Sequence, residues 1–330
     1  MPLPFILGGI ALAAAGYGVK KGIDALDADC EADEFIKKAE SLKEEAKRKV
    51  DSAQFDRNQA LVRLGKKKLH VLSHTVSNFL DHYHRLNCSR ISIENKNTDM
   101  RDIQKQVLDA RNLLNQLNTN GIDGGSALGV IAGCGGLGAS SFTTGAILGG
   151  GLAASGLAGL AVLGGLVAGP ALAILGAIST DEMEEKLENA KAYHSQVEAA
   201  VKKADVIIDN LRSVEKMADL FTRQITKFDA LFFSLSQEAI ATMKKHNYDI
   251  SRYNQKEKDQ LCVTYSTLSS LSAFLKVSIM DKHQKLNEKA KKALNLMQDQ
   301  MGSLESGNCS LGGIRFRQAQ LEYLRDDKTS

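Results

Sequence analysis

From Ala28 to about Leu86 the apolar residues return at steps of three and four: Phe35, Ala39, Leu42, Ala46, Val50, Ala53, Ala60, Leu64, Leu72, Val76 and Phe79. That spacing predicts helix, since a half-buried strand would alternate with a period of two. Between them stand Lys37, Lys38, Glu40, Lys43, Glu44 and Glu45, so the opposite face is solvated. The run Asn87 to Asn97 breaks the pattern, and a shorter helix is expected over Ile103 to Leu117, stopped by Asn118, Asn120 and Gly121. A second long stripe follows Ser179 and Thr180, candidate caps ahead of Asp181, Glu182, Glu184 and Glu185 in the first turn. It reads Met183, Leu187, Ala190, Val197, Ala204, Ile208, Leu211, Val214, Phe221, Ile225, Phe228, Phe232 and Leu235, a heptad-like repeat that argues for coiled-coil packing. A polar break at His246 to Asn254 precedes a last long helix with Leu261, Leu268, Leu271, Leu275, Ile279, Leu286, Ala290, Ala293 and Met297 on one side. From about residue 303 the pattern fades into a polar tail.

Between the two long stripes the character of the chain changes. Gly124 to Ser179 holds no charged side chain and contains 17 of the 28 glycines. At about 20 residues per membrane crossing, it has the length for two passes and a turn. The turn is placed near Ser140 to Gly151, among Ser140, Ser141, Thr143, Thr144, Gly149 and Gly150. Small residues recur four apart: Gly125, Gly129 and Gly133, then Gly145, Gly149 and Ala153, then Ala161, Gly165 and Gly169, with Pro170 marking a kink. Such spacing lets helix backbones approach closely, which is how helices associate in lipid. A buried hairpin in a water-soluble core is the competing reading. Against it stands the cost of each glycine, about 1 kcal/mol of helix propensity. The flanks are acidic, Asp123 and Asp181 to Glu185, without the basic residues that usually border a membrane segment. That asymmetry favours a hairpin inserted after folding.

Architecture therefore reads as all-α: an elongated antiparallel helical bundle or coiled coil carrying a hydrophobic, glycine-rich helical hairpin. The expected division is an apolar N-terminal segment (1–26), the N-terminal bundle helices (27–120), the hairpin (121–179), the C-terminal coiled-coil helices (180–302) and the tail (303–330). This pattern of long heptad helices around a Gly/Ala/Ser-rich hairpin resembles the bacterial α-helical pore-forming toxins of the haemolysin E and tripartite enterotoxin type, and more loosely the apolipoprotein L proteins. The resemblance implies a hairpin sheltered in the soluble form, released at a membrane, and assembled into a pore by oligomerisation. Met1 to Ala25 is also similar to the opening of bacterial proteins that share operons with dynamin-like GTPases. This implies an alternative, a membrane-tethered coiled-coil scaffold or GTPase partner without pore activity.

Composition narrows the rest. The net charge of +3 comes from 42 basic and 39 acidic residues interleaved along the helices, so no basic stripe points to nucleic acid. Cys30, Cys88, Cys134, Cys262 and Cys309 are scattered, odd in number and without a C-x-x-C pair, which suits free thiols in a reducing compartment and a cytoplasmic, membrane-associated protein. Leu3 to Val19 is apolar and followed by Lys20 and Lys21, the reverse of a secretory signal's order. It fits a short anchor, an interfacial peptide or an arm packed on the bundle. Expected partners are a lipid bilayer, further copies of the chain and a protein held through the coiled-coil helices.

Enzyme signatures are weak. Gly133, Gly135 and Gly138 satisfy G-x-G-x-x-G, but no acidic residue follows before Asp181. Gly65 and Lys66 are followed by Lys67, not by the Ser or Thr of a phosphate loop. His70 and His74 are four apart and could share a metal, yet no Glu follows His70 as in a zinc hydrolase. With His82 and His84 they read as surface histidines, with a pH-sensing role left open. The chain is expected to have no catalytic site and no cofactor.

Overall fold

The structure is a computed structural model that describes residues 24–86, 97–119, 131, 180–281, 285–307 and 310–325. Helix α1 (Asp24–His70) continues through a π-helical segment (Val71–Val76) into α2 (Ser77–Tyr83). His70 and Ser77, on either side of that segment, keep right-handed helical angles, so the helix widens without breaking. Next come α3 (Asn97–Thr119), α4 (Thr180–Lys245), a single 3-10 turn (Ile250–Arg252), α5 (Gln255–Leu275), α6 (Glu288–Glu305) and α7 (Leu311–Arg325). Among the described residues no strand occurs, and the protein is an all-α helical bundle.

Local chemistry accounts for the helix limits. All three prolines, Pro2, Pro4 and Pro170, lie outside the described helices, which are therefore spared the lost hydrogen bond and ring clash of an interior proline. Asn254 and Glu257 form a capping box on α5: the Asn254 side chain accepts from the Glu257 N–H at 2.9 Å and the Glu257 carboxylate accepts from the Asn254 N–H at 3.0 Å. Asn287 caps α6, and Ser310 Oγ accepts from the Gly313 N–H at the start of α7.

The chain divides into two compact units, and α1 and α4 contribute to both. The described part of the first unit is residues 24–55 and 180–211. Its core is narrow: Ala39 meets Tyr193 and Val197, and Ala46, Val50 and Ala53 meet Ala204, Ile208 and Leu211. Lys186 pairs with Asp33 at 3.5 Å and the Tyr193 hydroxyl donates to Glu40 at 2.6 Å. Residue numbers climb together on the two helices, so α1 and α4 run parallel here.

The second unit holds the main core, with Phe79, Phe221, Phe228, Phe232 and Phe274 fully buried. Arg63 with Asp219 and Phe79 against Phe232 keep the same parallel register between the α1–α2 rod of helix and α4. In contrast α4 and α5 are antiparallel: Phe221 stacks on Phe274 at 4.6 Å, and further along Gln260 reaches Glu238. Antiparallel packing was expected throughout; it holds for the α4–α5 pair and not for the two longest helices. A stripe of apolar residues says which face is buried and is silent on the direction of the partner.

Two further expectations are corrected. The last long helix is two helices, because Lys276 to Asn287 reverses the chain. Val277 and Ile279 are both fully buried there, the Asn287 N–H donates to the Ile279 carbonyl, and Asp281 Oδ1 accepts from the Lys285 N–H. Side chains that hydrogen-bond nearby backbone compete with helix. The polar tail, for its part, contains α7, whose Ile314 and Leu321 are fully buried against the α5 and α6 side of the unit.

Candidate functional site

The small-residue positions that carry the membrane reading, Gly125, Gly129, Gly133, Gly145, Gly149, Ala153, Ala161, Gly165, Gly169 and Pro170, lie outside the described residues, as do Gly135 and Gly138. One residue of the uncharged segment is described. Ile131 has helical backbone, is half-buried, and packs on the main core of the second unit.

Its seat on α1 is built around Gly65. A Cβ added at Gly65 would lie 1.9 Å from the Ile131 carbonyl oxygen, 2.9 Å from its carbonyl carbon and 3.0 Å from its Cγ2. Only hydrogen fits there, which explains a glycine in mid-helix despite its propensity cost. Leu61, Leu64, Leu69 and Leu72 supply buried apolar surface along the same stretch of α1 and the π segment, and Lys68 is itself fully buried. The seat thus repeats on α1 the close-approach chemistry read in the uncharged segment: a small residue that admits another backbone.

Just beyond the seat the helix widens into its π turn, where one extra residue per turn loosens the ladder. Ser73 Oγ donates back to the Leu69 carbonyl at 2.8 Å, and α3 braces the region through Arg111, which reaches Ser77 and Asp81. His70 and His74 stack with ring centroids 4.5 Å apart, and His74 Nδ1 turns to Ser73 Oγ at 2.8 Å and to the His70 carbonyl at 3.2 Å. One nitrogen of the pair is therefore committed to the helix. Among the described residues no group of three or more His, Cys, Asp or Glu side chains is placed to hold a metal.

A second polar cluster sits at the α4–α5 turn. Asn247 and Tyr248 take left-handed angles, with φ of 53° and 62°. The Tyr248 N–H donates to the Met243 carbonyl at 2.7 Å, so this end of α4 is closed by a left-handed turn without glycine. Such angles cost a bulky side chain roughly 1–3 kcal/mol, and Tyr248 is held in compensation. Arg85 Nη1 donates to its hydroxyl at 3.1 Å, the guanidinium lies 4.2 Å from its ring centroid, and the hydroxyl is 2.8 Å from His82 Nδ1. Burial, then the Lys244 and Arg85 charges, hold the His82 imidazole below its ordinary value. On the other side of the turn, Lys245, His246 and the Asn254 N–H converge on Glu257 and draw its carboxyl down to about 2. These contacts bind the ends of α2, α4 and α5 together; the sequence showed His82 and the polar break, and their partnership through Tyr248 had no local signal.

Among the described residues no helix is long and apolar enough to cross a membrane. No family model matches the chain, and neither a curated protein nor a solved structure matches it.

Proposed function

We propose that this chain is a membrane-associating helical protein whose uncharged segment Gly124 to Ser179 inserts as a hairpin, self-associates through its small-residue stripe and opens pores in the bilayer. The observation that carries the reading is the absence of any charge across that whole segment, combined with glycine at the spacing helices use to meet in lipid. Among the described residues no helix is long and apolar enough to span a membrane, so the proposed hairpin is placed in this segment. The contact of Ile131 with Gly65 supports a sheltered state in which that residue of the segment packs on the core of the second unit. Release then exchanges a seat on α1 for lipid and for other copies of the same stripe.

The test is dye release from liposomes together with flotation. Gly149→Leu and Gly165→Leu, which fill the stripe, abolish release while the bundle retains its helix content. Parent protein that neither floats nor releases dye at any pH returns the segment to the interior of a soluble fold. The second reading, a tethered coiled-coil scaffold for a protein partner such as a dynamin-like GTPase, is supported by Phe55 and Val206, large apolar side chains left exposed in the first unit. It predicts flotation without release.

A further inference from the structure

Helix α7 has two apolar stripes. Ile314 and Leu321, seven apart, are fully buried and fasten the helix to the second unit, and Arg317 Nη2 donates to Ser303 Oγ at 2.9 Å on that side. The other stripe is Gly312, Phe316, Ala319 and Tyr323, at the i, i+4, i+7, i+11 positions that share one helix face. Gly312 and Ala319 are exposed, Phe316 is 65% exposed and Tyr323 77% exposed, and nothing stands within 4 Å of a Cβ at Gly312. Among the described residues these are the most exposed aromatics of the second unit, ahead of Phe233 on α4 at 51%. They share their face with the exposed Arg315. In sequence Leu311–Arg325 holds three arginines, Arg315, Arg317 and Arg325, and one acid, Glu322, whose carboxylate accepts from Gln318 at 3.0 Å; Arg317 is turned to Ser303 on the fastened side, so Arg315 is the cation beside the aromatic stripe.

We infer that α7 is a peripheral docking helix that lays Phe316 and Tyr323 into the headgroup region of an anionic bilayer. The size of the face decides against a protein partner. Two aromatic side chains bury about 150–250 Å² each, well short of the roughly 800 Å² per partner that a stable complex needs. A bilayer requires no complementary partner surface. Apolar side chains entering the interface add to electrostatic attraction for anionic lipid, and Phe and Tyr beside Arg supply both terms. The inference rests on the membrane reading above and deepens it: α7 makes the first contact, and the hairpin follows. It is separable in the test, because docking and pore opening use different residues.

The chain has no tryptophan, so Phe316→Trp turns the exposed stripe into a single-site fluorescence probe in the full-length protein. Phosphatidylcholine vesicles containing phosphatidylserine should shift its emission to the blue, and vesicles of phosphatidylcholine alone should do so less. The double variant Phe316→Ser/Tyr323→Ser should float about tenfold more weakly with the anionic vesicles, with unchanged helical circular dichroism. Emission that stays red with both vesicle types overturns the proposal, as does a double variant that floats like the parent. A blue shift that grows with protein concentration in the absence of vesicles assigns the face to a second copy and also overturns it. If Gly149→Leu and Gly165→Leu lose dye release and still float, docking stands apart from insertion. If the parent floats through α7 and releases no dye, the pore reading fails and the docking helix survives.

Discussion

Replacing Gly65 by Ala is the most direct probe of whether the uncharged segment is sheltered on α1. In an isolated or solvent-facing helix the change adds about 1 kcal/mol of helix propensity. Here the new methyl would sit 1.9 Å from the Ile131 carbonyl oxygen, and ordinary contact begins near 3.4 Å, so one partner must move by about 1.5 Å. The atom in the way is backbone, which cannot rotate aside as a flexible side chain would. Overpacking of that kind costs about 1–3 kcal/mol, and unseating the half-buried Ile131 forfeits about 1 kcal/mol of apolar burial. Two outcomes bracket the result: a segment held in place gives a net loss of about 0–2 kcal/mol, and a segment already elsewhere gives a gain of about 1 kcal/mol. Urea denaturation followed by circular dichroism separates the two signs. Gly65→Leu enlarges the clash and cannot be mistaken for a propensity effect. Under the sheltered-hairpin reading it also lowers the threshold for dye release, because the seated state loses stability and the inserted state does not. Stabilisation by Gly65→Ala together with unchanged release by Gly65→Leu would refute both the seat and the sheltering.

The capping box of α5 should give the fold an acid-sensitive component. Glu257 is held down to about 2, so its contribution is complete above the ordinary carboxyl value near 4.5 and fades as pH falls through the interval towards 2; Glu257→Gln should flatten that part of a pH-stability curve measured by urea midpoint. Lys67 donates to Asp229 at 2.9 Å, and Asp229 is buried with its Oδ1 unpartnered among the described residues. Lys67→Met should therefore cost about 1–3 kcal/mol in chemical denaturation, and adding Asp229→Asn should recover much of it. Ser270 is fully buried with an unpartnered Oγ, so Ser270→Ala should be neutral or raise stability by about 1 kcal/mol; a loss of that size would mean the hydroxyl has a partner.

The helix stripes were legible because Ala46, Val50, Ala53, Ala60, Leu64, Leu72, Val76 and Phe79 on α1 and α2, and Ala204 to Phe232 on α4, are the buried residues and recur with a helical period. What periodicity hides is the environment of polar positions. Residues 264–275 of α5 carry Thr264, Ser266, Thr267, Ser269, Ser270 and Ser272 and are buried on every side. A hydroxyl on a helix can be solvated or enclosed, and its spacing does not distinguish the two. The reversal at Lys276 to Asn287 leaves no mark on the pattern because Ile279 and Leu286 fall on the stripe whether or not the helix continues. In α7 the two stripes on opposite faces cancel in a one-sided pattern, so the helix read as tail. In sequence Gly65 reads as part of an incomplete phosphate-loop signature; as a glycine in mid-helix it is a local cost without a local benefit, and its reason lies 66 residues away in Ile131. Such a mismatch between local propensity and observed structure is where long-range contact or function is expected.

The polar content of the second unit bears on the proposed release of the uncharged segment. Its interior includes side-chain atoms without hydrogen-bond partners among the described residues: Gln106 Oε1, Thr267 Oγ1, Ser269 Oγ, Ser270 Oγ and both amide atoms of Gln300. Each enclosed polar atom left unpartnered costs about 1–3 kcal/mol relative to one that reaches water. An interior of this kind gains less from staying closed than an equally large apolar one, because opening hydrates these atoms. If the segment inserts as proposed, the modest apolar gain and the steric constraint at the Ile131 seat leave the balance between seat and lipid to depend as much on α5 and α6 as on the segment itself. Substituting Ser269 and Ser270 by Ala and Gln300 by Leu would make the closed state more favourable without touching Gly65 or the uncharged segment. If release of the hairpin is what opens the membrane, that variant should melt higher and leak less. Equal leakage from a demonstrably stabilised bundle would uncouple the bundle's interior from insertion.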